Sequence, residues 1–519
     1  MPNPPARSLA RSTGLLALGN AVNRAVGLVY RMILSRFLGA EALGLFQMAM
    51  SLYFAILLPF IAGLPSALSQ VVAGRRAEGV PPETRRTVGQ VMGLTLALLL
   101  AAVGLILITG WSPPGEGWDL ARRLVPLPLL VPAVACAVVS ASLRGVFFGQ
   151  QRVLPVVSAQ VGEQALRLLV LGALLAAVGS AAVEVRLGAV MANLILGEAT
   201  GCLLLAAAYR RMLAEPWILR PAPAGEPPSL RRVVRIAVPM GLQRAAWSFE
   251  RLAEATLIPA VLQRAGSSVG AAVAAYGELT AMASPLIFLP NVAVHALTHT
   301  LVPGVAEVAN RPSALHHRVR RALSLTADLG TVTTLVLTFT GGWLTAVLFG
   351  FNGAGAGYPF AGRLAERLAL LAAVVYVDHV ATAVLRGLER STEPMLVDFL
   401  AMGARLGLLL ALGNRLALGI EAVVTSLTAA AALAAVLDLL LAGHYSGMGP
   451  AIFKPVLPAW VAGAAGLAAG GTVRLAIAPL TGPGAAAAAA LAAALVCYGL
   501  VRLGAALSHL GPTSGSKPG

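Results

Sequence analysis

Lysine is almost missing from this chain: of 38 basic residues only Lys454 and Lys517 are lysines. Charge of either sign is scarce. Charged residues fill 12% of the 519 positions, about half the ~25% of a soluble domain, which excludes an ordinary water-soluble globular protein. Cys136, Cys202 and Cys497 lie far apart in apolar runs, so they offer neither a disulfide framework nor a paired metal motif and read as small core residues. Walker loops, nucleophile elbows and HExxH motifs are missing too. Neither ATP hydrolysis nor bond-making chemistry is expected, and no cofactor motif appears. The net charge of +16 is dispersed in short clusters between apolar runs, which leaves no basic domain for nucleic acid.

What is present is apolar sequence: 58% of residues are hydrophobic. Runs of ~20 apolar residues suit a bilayer, and about fourteen occur, over 12–37, 43–73, 88–110, 123–143, 155–179, 185–209, 233–262, 271–304, 321–349, 364–385, 395–413, 417–442, 455–478 and 485–507. The expected fold is an all-α polytopic membrane protein. Arg7 and Arg11 precede a run too long for a cleaved signal, so the first helix is expected to stay as an anchor. Loops bearing Arg75, Arg76, Arg144, Arg210, Arg211, Arg231, Arg232, Arg320, Arg321 and Lys454 far outweigh the opposite set, which holds Arg122, Arg123, Arg186, Arg264, Arg363 and Arg415. Both termini are therefore expected in the cytoplasm of a cell-membrane protein. Prolines crowd the stretch 210–232, which reads as a cytoplasmic linker between lobes at 1–209 and 233–445, with a final helix pair and tail over 446–519.

The two lobes carry echoes. Leu143-Arg144-Gly145, Pro155 and Arg167 are answered by Leu385-Arg386-Gly387, Pro394 and Arg405. Pro59 and Pro65 interrupt the second helix, as Pro285 and Pro290 interrupt the eighth. Paired interruptions point to the hinges and central site of a transporter.

Charge inside the apolar runs is the chemical signal. Asn20, Arg24, Gly27, Arg31 and Ser35 step by three or four and share one helix face. Intramembrane arginines mark a hydrated functional cavity by default, against the alternative of structural pairs with acids such as Glu198. The seventh helix answers with Gln243, Arg244, Trp247, Glu250, Arg251 and Glu254, where Trp247 can stack on Arg251 and Glu254 can pair with it. Asn20, Arg24, Arg31, Arg244, Trp247 and Arg251 are the candidate substrate-binding set. Glu163, Glu198, Glu250, Glu254 and Asp378 are candidates for either Na+ or H+ coupling or structural pairing, and Asp328 has the same two readings. Glu163 and Arg167, spaced i, i+4, suit an ion pair. His295 and His299 stand one turn apart without a third ligand, so no metal site is expected.

The segments RMILSRFLGAEALGLF from Arg31, GLPSALSQVVA from Gly63, RGVFFGQQRVLPVVSAQVGEQALR from Arg144 and the stretch Leu289–Glu307 ending TLVPGVAE resemble the stage V sporulation protein B group. That group lies in the multidrug/oligosaccharidyl-lipid/polysaccharide exporter superfamily, together with lipid II flippases. The resemblance implies two six-helix lobes in a V-shaped bundle, two further C-terminal helices, and alternating access. It implies transfer of undecaprenyl-diphosphate-linked glycans for peptidoglycan or polysaccharide, in vegetative wall or spore cortex. A monomer is expected, with membrane lipids and wall-synthesis enzymes as partners. A cation-coupled drug antiporter of the same superfamily is the alternative, but it should carry acids and aromatics where this first helix has Asn20, Arg24 and Arg31. A non-transporting scaffold has no need of paired broken helices. The Ala- and Gly-rich final pair is expected to shape a groove for a polyprenyl tail.

Overall fold

Proline decides where many helices begin. Its missing N–H costs nothing in the first turn, where that donor lacks an intrahelical partner anyway. In the computed structural model, which describes residues 6–61, 63–73, 82–110, 113–125, 128, 130–214, 230–350, 359–415, 418–481 and 483–508, this device recurs along the chain. The helices are α1 (Ala6–Leu38), α2 (Ala40–Ile61), α3 (Leu64–Ala73), α4 (Pro82–Thr109), α5 (Glu116–Leu124), α6 (Leu130–Gly149), α7 (Leu154–Val178) and α8 (Val183–Leu213). They continue as α9 (Leu230–Arg264), α10 (Val269–Gly277), α11 (Ser284–Phe288), α12 (Asn291–Val308), α13 (Pro312–Phe349), α14 (Pro359–Arg367) and α15 (Leu370–Gly387). The last four are α16 (Thr392–Arg415), α17 (Ile420–Tyr445), α18 (Leu457–Ile477) and α19 (Pro483–Ser508). Prolines stand in the first turn of α7, α13 and α18.

No strand occurs among the described residues. Twelve of the described helical segments are long and apolar enough to cross a membrane, and the protein is a multi-pass membrane protein. α1 and α9, 33 and 35 residues long, are the charge-bearing first helices of the two repeats and stand outside that set. Together they account for the expected fourteen. Two short helices lie outside the expectation: α5 and α14, nine residues each, precede the fourth helix of each repeat. The apolar pattern places α14 within a single tenth span, but a break at 368–369 separates it from α15.

Packing divides the chain into two compact units, Met1–Gln263 with Ser267–Gly277 and Arg264–Gly266 with Glu278–Gly519. By compactness α9 and α10 belong with α1–α8, whereas the expected lobes divide at 210–232; most of that linker lies outside the described residues.

Within the first unit the long second span is broken between α2 and α3, and α9 packs at the break. A Cβ on Gly241 of α9 would stand 2.7 Å from the Pro59 carbonyl, and one on Gly63 would strike the backbone of Ala237. The second unit has the corresponding interruption. There a π-helical turn, Glu278–Ala283, is followed by α11 and a break at Leu289–Pro290. Backbone groups freed in an apolar setting need substitutes: Tyr376 of α15 donates to the Ile287 carbonyl at 2.6 Å, and Ser284 donates to Leu279 O at 2.7 Å. Pro303 sits inside α12 without breaking it.

The LRG echo now has a physical reason. Gly145 closes α6 onto α3, where its missing Cβ would lie 2.9 Å from the Pro65 carbonyl. Gly387 closes α15 onto α12, with the Val302 carbonyl at 2.8 Å. In each repeat glycine seats the fourth helix on the far half of the broken helix, and in the first Gly149 adds a second such contact, 2.8 Å from the Ser69 carbonyl. The turns that follow pass through left-handed residues, Gln151 and Glu389.

Overpacking such a contact costs about 1–3 kcal/mol. Gly145→Ala and Gly387→Ala are therefore expected to lower thermal stability in detergent. Gly403→Ala, where nothing lies within 4 Å of the new Cβ, should be neutral or stabilising.

Candidate functional site

Two kinds of charge occur in the first unit, and the difference between them defines the site. The first kind is neutralised. Arg167 on α7 pairs with Glu163 one turn earlier at 2.8 Å and with Glu198 of α8 at 3.3 Å, and Arg144 at the end of α6 stands 3.7 Å from Glu163. Two acids balance two arginines. α8 makes room through Gly197 and Gly201, since a Cβ at the latter would stand 2.8 Å from Glu163 Oε2. Asn193 donates to the Arg167 carbonyl at 3.2 Å. Glu163, 7% exposed, pairs with both arginines, and Glu198 is engaged by Arg167. Cys136 and Cys202, distant in sequence, meet beside this cluster as free thiols in hydrogen-bond contact.

The second kind is not neutralised. Arg31 of α1 lies within electrostatic range of Arg251 of α9, and both side chains are exposed. Neither makes an ion pair with a described residue, so two like charges on different helices are left without a described counter-ion. Arg244 lies over the Trp247 ring at 5.0 Å. The expected stack of Trp247 on Arg251 is therefore replaced by one on Arg244, a turn the other way, and Arg251 forms no ion pair with Glu254. Glu254 is buried and Glu250 half-buried; both interact with neighbours. Asn20 and Arg24 sit on the backbone of α1, but their side chains, like that of Gln243, lie outside the described residues.

The second unit carries its own charge cluster at the corresponding place. Asp438 of α17 accepts from Thr382 at 3.0 Å, Asp378 lies beside it, and Asp398 and Arg386 are within electrostatic range. Asp328 is an arginine's partner: Arg502 of α19 reaches it at 2.8 Å, and Tyr498 donates to its other oxygen. His295 meets His379 of α15, ring centroids 4.9 Å apart, instead of His299. Asn291 bridges these two rings at 3.5 and 3.2 Å. No group of His, Cys, Asp and Glu suited to a metal occurs among the described residues. Glu278, in the π-helical turn, carries no signal in the sequence pattern; its carboxylate accepts from Ala361 N at 2.6 Å in the first turn of α14, where the helix dipole favours a negative charge.

The family model for "Polysaccharide biosynthesis protein" matches residues 9–308, more than half the chain. The chain belongs to this family. It is 25% identical over 421 residues to Stage V sporulation protein B of Bacillus subtilis (strain 168), covering 80% of this chain and 79% of that one. Its fold is similar to that of Lipid II flippase MurJ in an inward closed conformation, with TM-score 0.67, 12% identity, and 96% and 99% of the two chains covered. A multidrug resistance MATE family transporter of the MOP superfamily, inward-facing, aligns with TM-score 0.62 and 15% identity over 83% of this chain and 96% of that one.

Breaking a buried pair strands its partners and costs about 3–5 kcal/mol. Arg167→Ala is expected to reduce the yield of folded protein and its thermal stability, and Glu198→Gln in the same chain should restore part of both.

Proposed function

We propose that the protein is a flippase that carries an undecaprenyl-diphosphate-linked glycan from the inner to the outer leaflet by alternating access. The observation that carries this reading is the unneutralised pair Arg31 and Arg251. Two guanidinium groups that repel one another are poised for a shared dianion, and each offers a planar fork of donors matched to phosphate oxygens. Arg24, on the same face of α1, is assigned to this set. The Arg244–Trp247 stack provides a flat surface for a sugar. The lipid tail remains in the bilayer while the head group crosses, so no cofactor is required. The names of the relatives, a flippase for lipid II among them, support the same chemistry. The repeat lobes 1–209 and 233–445 are the bodies that rock, with the breaks at Pro59–Pro65 and Pro285–Pro290 as hinges.

The drug-antiporter reading needs an acidic pocket for a cation, and the α1 face supplies arginines instead. The cargo in this reading is a peptidoglycan precursor or another polysaccharide unit, with wall or spore-cortex synthesis as the setting.

In proteoliposomes, Arg251→Ala and Arg31→Ala should each slow transfer of a labelled lipid-linked diphosphate about tenfold or more, from ~1.5–3 kcal/mol per charge-assisted contact. Arg251→Lys should recover only part. Normal transfer by folded Arg251→Ala protein would remove the anion site. Orientation has its own test in a cysteine-free background. Gly117 is buried, and a Cβ there would lie 3.2 Å from Val273. A cysteine at the exposed neighbour Glu116 should label in intact cells, and one at Gly225 should not. The reverse pattern inverts the topology.

A further inference from the structure

The second unit holds an apolar groove with no part in the site above. Its walls are α13, α15 and α18, and its volume is about 250 Å³. Leu335, Val374 and Leu467 line it, with Gly463 opening one side. Two polar atoms of the lining residues have no hydrogen-bond partner: Thr331 Oγ1 and Trp460 Nε1. A helical threonine ordinarily bonds back to the carbonyl one turn before. Thr326, Thr333 and Thr340 on the same helix do so at 2.9, 2.8 and 2.7 Å, and Thr334, which also lines the groove, bonds Ala369 O at 2.9 Å. Thr331 departs from this pattern although it is only 3% exposed. Its methyl fills the space left by Gly463, one turn beyond Trp460 on the same face of α18. Buried donors without acceptors are costly, and an apolar groove lacks the polar partners that would retain a water.

We propose that this groove is a binding site for an ester-linked glycerophospholipid. One acyl chain lies along Leu335, Val374 and Leu467, and its ester carbonyl accepts from Trp460 Nε1–H and Thr331 Oγ1–H after small side-chain adjustments. A carbonyl oxygen has two lone pairs, one for each orphan donor. A polyprenyl chain is hydrocarbon along its length and satisfies neither donor. The depth also fits. Trp460 stands in the first turn of α18, six residues after Lys454, where an indole marks the membrane interface and where ester groups lie.

The test is native mass spectrometry of the purified full-length protein, given phosphatidylglycerol in diester form, its diether analogue with matched chains, or undecaprenyl phosphate. The diether lacks the carbonyl and changes little else. Wild-type protein should retain the diester about fivefold better than the diether, the size expected for one net hydrogen bond. Trp460→Phe with Thr331→Val, which removes both donors and keeps an aromatic ring and a β-branched side chain in their places, should erase that preference in protein that remains folded. Equal retention of diester and diether by wild type overturns the proposal, as does a preference that survives in the variant. Displacement of the diester by equimolar undecaprenyl phosphate overturns it in favour of a polyprenyl occupant. If the double variant fails to fold, the wild-type ratio of diester to diether decides alone.

Discussion

Charge in a low-dielectric bundle must be compensated, and much of this molecule is arranged around that requirement. The first unit compensates Arg144 and Arg167 with Glu163 and Glu198, drawing one residue from α6, two from α7 and one from α8. This fixes three helices against one another, and Gly197 and Gly201 keep α8 close enough for the contacts. Against that neutral cluster, Arg31 and Arg251 stand out because no described acid answers them. That contrast is the basis for the proposal that these two arginines meet a ligand.

The same economy recurs in the second unit with other residues. Arg386 lies within electrostatic range of Asp438, and Arg502 with Tyr498 fastens α19 to Asp328 on α13. The final helix pair is thus ionically fastened to the unit, a role reinforced by Arg474 facing Glu366 of α14 at 3.9 Å. Both broken spans carry proline near the break, Pro59 inside α2 and Pro290 after α11, and use neighbours to cover the exposed backbone. In the first unit glycine lets α9 approach the break, and in the second Tyr376 donates a hydroxyl.

Features governed by short spacing are legible in the amino-acid order alone. Glu163 and Arg167 are four apart, so helical geometry pairs them, and apolar run length locates the spans. Features governed by distant partners are not legible in that way. Glu198 is 31 residues from Arg167, His379 is 84 from His295, and Cys202 is 66 from Cys136, separations on which periodicity is silent. Trp247 has an arginine one turn away on either side, and the choice of Arg244 follows from rotamers that sequence does not encode. α5 and α14 escape notice because nine amphipathic residues fall well below the length of a span. Gly145 and Gly387 are visible as a repeated motif, yet their reason, a backbone contact with the broken helix, exists only in three dimensions.

The central claim is that Arg31 and Arg251 read a diphosphate. Equilibrium binding of undecaprenyl diphosphate and undecaprenyl monophosphate to the detergent-solubilised protein tests it directly, because the two ligands share one tail and differ in one phosphate. The account predicts that the diphosphate binds about tenfold tighter or more, with an advantage that shrinks as salt is raised and vanishes in Arg31→Ala/Arg251→Ala protein that remains folded. Equal affinity for the two lipids, or a diphosphate preference that persists in the double variant, would contradict it.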